Sequence, residues 1–455
     1  MQWELETDVV VVGGGGCAMV AALAAAEHGA EVFLVEKEGR VGGNTALSQA
    51  MIPAAGTRFQ REAGIPDTPD QFAEDIFRKN GYDSDPEVTR TLCTNSAPLV
   101  EWFVDELGVR LALVTDFKYP GHSTYRMHAS PSWKGDELVH DLLAAVKAHP
   151  RIMLATNAPA KELIADDSGA VIGVVVHTME NECIRAQKVI LACNGFGHNQ
   201  QMVRRYCPEI ADALYFGHEG NTGEGILWGM ELGAATEHMG AFQGHASVTH
   251  PHGVLLTWAV MVNGGIQVNR DGLRFGDESR DYSGYALEVL KQPGGVAYDI
   301  FDGRIYVSVE GFEDFRECVK AGAIKRADTL EELAERLHIN GLNLLKTVED
   351  YHRAIEAGVD EFGRTEFGDP LRSPFYGAQV TGALFHTQGG LRVNNKAQVL
   401  RTDGVHVPNL YAGGGVAVGV SGCGPDGYLS GNGLLAALGW GKIAGEHAAQ
   451  ALRER

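Results

Sequence analysis

The opening stretch, DVVVVGGGGCAMVAALAAAEHGAEVFLVEKE, constrains this chain more than any other segment. Asp8–Val12 is a short apolar, β-branched run that fits a buried parallel strand. Glycines 13 to 16 break it, the alanine-rich stretch Ala18–Gly29 reads as a tightly packed helix, and Glu31–Glu36 forms a second strand. Within this βαβ unit Gly13-x-Gly15-x-x-Ala18 lies between strand and helix, and Glu36 follows Gly13 by 23 residues, close to the usual distance of roughly 20. Gly13 makes the tight turn, Gly15 admits a pyrophosphate to the backbone, and Ala18 brings the helix close to the sheet. The helix start at Gly16 and Cys17 presents free N–H groups and a positive dipole end. Glu36 is placed to accept from ribose hydroxyls. A glycine-rich turn without a ligand is the plainer alternative; strand, helix and acid all in place favour dinucleotide binding. Glu36, Lys37 and Glu38 lead into Gly42, Gly43, Asn44, Thr45 and Ser48. That polar turn suits FAD, a long cofactor running under a loop, better than a nicotinamide.

The rest of the composition narrows the class. At 455 residues the chain is long enough for two domains. Its 58 glycines suggest many tight turns and a ligand against bare main chain. A formal charge of −21 disfavours nucleic acid and anionic lipid as partners. The seven cysteines form no disulfide framework, CxxC pair, haem or zinc spacing, so a reducing cytoplasm is the expected setting. The N-terminus has no basic leader, and no run approaches the ~20 apolar residues of a membrane span.

Periodicity predicts helices over residues 69–80, 86–107 and 135–148, then strands at 152–154, 160–165, 171–177 and 188–193. From about residue 241 the character changes: short strands at Gly265–Asn269 and Ile305–Val309, and charged helices near 328–339 and 341–357. The final part returns to strand and glycine-rich loop before a closing helix, Leu434–Arg453. The expected fold is therefore α/β: a discontinuous Rossmann-like FAD-binding domain over residues 1–240 and 375–455, with an inserted α+β capping domain over residues 241–374.

The opening stretch through Ser48 resembles the flavin-binding start of the fumarate reductase and 3-ketosteroid dehydrogenase flavoproteins. VILACNGFGHNQQMVRRYCP, NTGEGILWGMELGA, HTQGGLRVN and LYAGGGV resemble that superfamily's later landmarks, in order. The resemblance implies FAD contacts from Asn194 and Gly195, from Gly414, and from Ala160 in the strand-rich block. It implies non-covalent flavin, because the tethering histidine of some relatives is matched here by Asn44. Ser430, Asn432, Gly433 and Leu434 begin the last helix, whose N-terminus in the family faces the flavin N1–C2=O edge, where reduced flavin carries negative charge.

The same resemblance assigns candidate catalytic groups. His250 matches a substrate-binding histidine, Arg280 falls near a proton-delivering arginine, and His386 matches a histidine that binds a substrate carboxylate. Gln388 stands where the family carries methionine. Tyr428 stands where fumarate reductases carry a carboxylate-clamping arginine, and a tyrosine there is similar to the 3-ketosteroid dehydrogenases, where it hydrogen-bonds a ketone. A donor on the ketone oxygen stabilises the developing enolate, and a second group, among Tyr125, Tyr282, Ser430 and Arg280, takes the α proton. Each has a plainer role: Tyr428 packing beside flavin, Arg280 in an ion pair with Asp277 or Asp281, Cys17 as a small packing residue. His245, His250 and His252 lack a carboxylate or thiolate at ligand spacing and read as cleft or core histidines rather than a metal site.

The expected activity is FAD-dependent hydride transfer at a CH–CH bond next to a carbonyl, with a ketone or enone as small-molecule substrate. The rivals are fumarate-type reduction of an unsaturated carboxylate with Arg280 as acid, and flavin binding without turnover. Without haem or iron–sulfur spacing, electrons pass to or from an external acceptor or donor.

Overall fold

A computed structural model of the protein describes residues 2–453. The strand Leu5–Val12 lies at the centre of an eight-stranded sheet, and Val9, Val10 and Val11 have no exposed surface. Its neighbours are Val32–Val35 on one side and Asn181–Leu191 on the other, both parallel, with Val10 opposite Phe33 and Val189. Ile152–Ala155 and His406–Ala412 extend the parallel core outwards. Ala160–Ala165, Val171–His177 and Gln398–Leu400 add antiparallel strands. Buried on both faces, the central strands read as unbroken apolar runs, the signature of a doubly covered parallel sheet.

The alanine-rich helix, Gly16–Glu27, is buried over Gly16–Ala26 because another helix lies against it. That partner is the closing helix, Asn432–Arg453. A side chain at Gly441 would start 2.5 Å from the Cys17 carbonyl oxygen, and one at Gly445 would strike the Ala21 carbonyl. Both pairs step by four residues, so two small-residue ridges meet backbone to backbone. Cys17 and the alanines serve this approach.

By their internal contacts the residues form two units: Met1–Pro208, Gly217–Phe242 and His386–Arg455, and Glu209–Phe216 with Gln243–Phe385. The second is α+β. Its spine is the strand Phe375–Thr387, paired with Val296–Asp302, Lys325–Ala327, Leu214–Tyr215 and Phe242–Thr249, and Ile266–Val268 joins through Val296–Asp302. A buried ionic cluster lies in this unit. Arg274 pairs with Glu278 (2.6 Å) and Asp360 (2.7 Å), and Arg364 with Glu278 (3.1 Å).

Many expected elements form at their expected places, among them the helices Pro69–Asn80, Gly135–Ala148 and Gly341–Ala357 and the strands Ala160–Ala165 and Val171–His177. One expected strand is a helix. Residues 305–309 belong to Gly303–Val309, whose first turn is capped by the Asp302 carboxylate accepting from the Ile305 N–H at 3.0 Å. Ile305 and Val309 are buried four residues apart while Val307 is 64% exposed, so a helical period hides inside an apparent alternation. Phe242–Thr249 escapes sequence analysis for the converse reason. It is buried throughout although Gln243, His245, Ser247 and Thr249 are polar.

Candidate active site

The glycine turn forms a cradle of main chain. Gly13 has φ +117, and a side chain there would start 2.5 Å from the Ala192 carbonyl. Gly15 caps the following helix without any side-chain cap, and around its missing side chain only the Gly42 carbonyl comes near, at 3.7 Å. The second glycine turn locks onto the first, Gly42 N donating to the Gly14 carbonyl at 2.9 Å. Gly43, at φ +52, faces open space. Uncapped helical N–H groups beside bare backbone are an anion site.

Several side chains expected at this cofactor site are engaged within the protein. Lys37 is held by Glu224 and Thr222, both at 3.1 Å. Thr45 accepts from the Gly16 N–H at 3.1 Å, and Ser48 donates to the Thr45 carbonyl at 2.8 Å. Asn44 accepts from the His218 N–H (2.7 Å) and the Asn221 amide (2.9 Å). Ala160 opens its strand opposite Val176, and Ala18 is fully buried. Cys17 is buried against Gly413, and burial pushes its thiol up to about 12, in keeping with a packing role. The Glu36 carboxylate accepts from the Glu38 N–H at 2.8 Å and lies under Gly14, with its pKa raised by burial. Asn194, at φ +67, accepts from the Gly195 N–H. A side chain at Gly195 would collide with the Thr387 hydroxyl. Gly414, at φ +61, lies against Cys17.

The Thr387 contact carries the chain to a second group of residues. His386 and Tyr428 meet edge to face, ring centroids 5.7 Å apart. A side chain at Gly433 would begin 3.0 Å from His386 Nε2 and 3.3 Å from the Tyr428 hydroxyl, so this glycine keeps the space between two donors open. Tyr428 is buried, accepts from the Gly433 N–H at 3.3 Å, and keeps its proton because burial pushes it up to about 12. His386 is neutral, its pKa lowered to about 4 mainly by burial. Its Nδ1 lies 3.0 Å from the Gln388 amide nitrogen, whose oxygen accepts from Ser421 at 3.0 Å. Asn432 donates to Ser421 at 3.3 Å, while its own Oδ1 is buried without a partner.

A neighbouring network had no signal in the sequence. His122 Nε2 donates to the Ser430 carbonyl at 2.9 Å, across 308 residues of chain. Its Nδ1 faces Arg126 at 3.4 Å and burial lowers its pKa to about 3. Arg126, 1% exposed, is gripped by Asp67 at 3.0 and 3.1 Å and by Asp75 at 2.7 Å, and lies 4.5 Å over the Phe72 ring. Ser430 and Tyr428 thus hang from a buried, charge-compensated frame. Tyr125 is 37% exposed, and its carbonyl accepts from Gln60.

The remaining candidates belong to the second unit. His250 and His252 are exposed. His245 is buried in a ring stack between Tyr282 (4.8 Å) and Phe385 (5.2 Å), which lowers its pKa to about 3 and makes it a core histidine. Arg280 is exposed, and among the described residues it forms no ion pair. Asp277 accepts instead from Ser279, and Asp281 from the Gly284 N–H. The ion-pair alternative for Arg280 therefore falls. Among the described residues no group of three His, Cys, Asp or Glu is arranged to hold a metal ion, and no helix is long and apolar enough to cross a membrane.

Residues 8–434 match the family described as FAD binding domain. The chain belongs to the FAD-binding flavoproteins. This flavoprotein is 33% identical over 457 residues to a probable fumarate reductase, Ifc3, of Shewanella frigidimarina, covering 98% of this chain and 75% of the relative. Its fold is similar to the open conformation of a flavocytochrome c3 fumarate reductase (TM-score 0.83, 31% identity, 98% of this chain and 79% of that one). It is also similar to a 3-ketosteroid-delta4-(5alpha)-dehydrogenase from Rhodococcus jostii RHA1 solved with 4-androstene-3,17-dione (TM-score 0.78, 26% identity, 99% and 98%). The flavoprotein is an FAD-dependent oxidoreductase. Its residues fit the cofactor: the uncapped helix start at Gly15, the open Gly43 and the orphaned Asn432 Oδ1 are what a diphosphate and a polar ring would occupy.

Proposed function

We propose that this flavoprotein desaturates a CH–CH bond next to an uncharged carbonyl to C=C, or saturates that C=C bond, as in a ketone or enone. The observation that carries the reading is the pair of neutral donors, Tyr428 and His386, on either side of the space kept open by Gly433. Neither is a cation of the kind that clamps a carboxylate bidentately. The likeness to a dehydrogenase solved with a steroid ketone supports the same class.

FAD, when bound non-covalently by the main-chain cradle and Glu36, supplies the two-electron hydride acceptor or donor. In oxidation the β carbon gives up a hydride, the α carbon a proton, and the pair of electrons left at the α carbon forms the C=C bond; reduction reverses each transfer. Tyr428 and His386 donate to the carbonyl oxygen, where negative charge grows as the α proton leaves. Preorganised donors at that point lower the barrier more than they tighten ground-state binding. The proton itself is exchanged by a group drawn from Tyr125, Tyr282, Ser430 and Arg280, and His250 contributes to substrate binding. The electron partner is an external acceptor or donor.

The second reading is reduction of an unsaturated carboxylate with Arg280 as proton donor, favoured by the identity to the probable fumarate reductase and by an exposed Arg280 that pairs with no carboxylate among the described residues. Anaerobically reduced protein mixed with cyclic enones and with fumarate separates them. Reoxidation by enones and not by fumarate is expected. The opposite preference sinks the first reading, and failure of every acceptor sinks both.

A further inference from the structure

Gln388 occupies the position where the resembled superfamily carries methionine, and the structure gives the difference a chemical consequence. The Asn432 amide donates to the Ser421 hydroxyl at 3.3 Å, Ser421 donates to Gln388 Oε1 at 3.0 Å, and Gln388 Nε2 lies 3.0 Å from His386 Nδ1. Each link has one direction. An amide nitrogen can only donate, so His386 Nδ1 must accept. The Thr387 carbonyl, the competing partner that would demand a proton on Nδ1, is farther away at 3.4 Å. The single proton of the neutral ring is left on Nε2, the nitrogen beside Gly433.

We infer that Gln388, with Ser421 and Asn432 behind it, is a positioning and specificity-determining residue that locks His386 into the tautomer carrying its proton on Nε2, so that the site presents a neutral donor and selects an uncharged carbonyl oxygen over a carboxylate. The inference rests on the ketone reading and deepens it. A thioether at residue 388 would accept only weakly and donate nothing, leaving the imidazole free to take either tautomer or a second proton. The amide removes that freedom at the cost of three ordered side chains. Ser421 is 1% exposed and Asn432 is fully buried, so water does not compete for these bonds.

The test uses full-length holoenzyme and two substitutions of similar size. Q388E reverses the link, because a carboxylate accepts from Nδ1–H and draws the ring toward the imidazolium. Q388M removes the link and keeps the volume. Histidine-selective nitrogen NMR, with the His386 signal assigned by its loss in H386N, reads the tautomer directly and needs no turnover. Wild type is expected to show a bare Nδ1 at neutral pH, and Q388E a protonated one. In parallel, the ratio of kcat/KM for a cyclic enone to that for fumarate is expected to fall by at least about tenfold in Q388E and less in Q388M. S421A, which leaves Gln388 in place, should shift the ratio in the same direction by a smaller factor. Flavin absorbance and Tm identify a variant that has failed to fold, and in that case the wild-type tautomer and S421A decide. A wild-type His386 protonated on Nδ1 overturns the inference, as does an unchanged ratio in folded Q388E. Turnover of fumarate alone, with Nε2–H in place, overturns the ketone reading and leaves the tautomer lock standing.

Discussion

Tyr428 and His386 are kept in their neutral forms because burial, not a charged neighbour, fixes their protonation. Burial leads the causes for both, and the main-chain hydrogen bonds to each are secondary. A phenol pushed up to about 12 and an imidazole lowered to about 4 both keep the neutral donor form across the physiological range. Replacing Tyr428 by Phe keeps the edge-to-face contact with His386 and removes only the hydroxyl. It should lower kcat for an enone by roughly 10²–10³-fold while KM moves little, as for loss of one oxyanion-type donor. Steady-state kinetics on flavin-replete protein check this; an unchanged kcat would remove Tyr428 from the mechanism. The residue types at these positions were readable in the sequence. Their protonation was not, because it depends on how much low-dielectric protein encloses each ring.

Among the elements, the loop that enters the closing helix is the most tightly tied. His122 holds the Ser430 carbonyl, and Gly121 and Gly431 let neighbouring segments approach at points where a side chain would meet Leu429 and Pro53, both at 2.8 Å. Exchanging His122 for Leu fills the space but leaves that carbonyl unpaired and Arg126 facing carbon. The expected cost is ~1–3 kcal/mol of stability, with kcat falling beyond what the stability loss explains because Tyr428 shifts. H122Q, which keeps an N–H donor, should recover much of kcat, and equal losses in both variants would argue for a purely structural His122. The helix itself depends on its glycine ridge. Gly441→Ala places a methyl 2.5 Å from the Cys17 carbonyl and should destabilise by about 1–3 kcal/mol through overpacking, measured as a lower Tm. Spacing and composition revealed both helices; that they are partners follows only from the small residues meeting in three dimensions.

For the whole molecule, buried histidines set the response to acid. His122 and His245 are lowered to about 3, His128 and His386 to about 4, all chiefly by burial. Below about pH 6.5 the unfolded chain binds protons at these rings while the folded chain does not, so stability falls as pH falls toward about 4, by up to ~1.4 kcal/mol per group and pH unit. Asp299, raised by burial to about 7, opposes this, since its folded form keeps a proton that the unfolded form has released. Four groups outweigh one, and Tm should drop between about pH 7 and 5 in scanning calorimetry. A Tm that climbs over that interval would mean that the histidines are hydrated. Removing FAD should also lower Tm, by an amount that grows with the free FAD otherwise present, near ~2.7 kcal/mol at a hundredfold excess over Kd. Identical melting with and without flavin would contradict a preformed cradle.

The sequence alone determined the nucleotide-binding βαβ unit and the FAD that it serves, while the candidate donors came from the family resemblance. The unit and its cofactor follow from short-range rules: a turn that only glycine tolerates, an acid one strand further on, an apolar run of strand length. Tertiary structure decided which side chains are spent on the protein itself, as Lys37, Asn44 and Ser48 are. It also decided which distant segments fix the site, as His122 does for Ser430 and Ser421 for Gln388. Hydrogen-bond direction and burial arise from atoms brought together across hundreds of residues, and no local pattern encodes them.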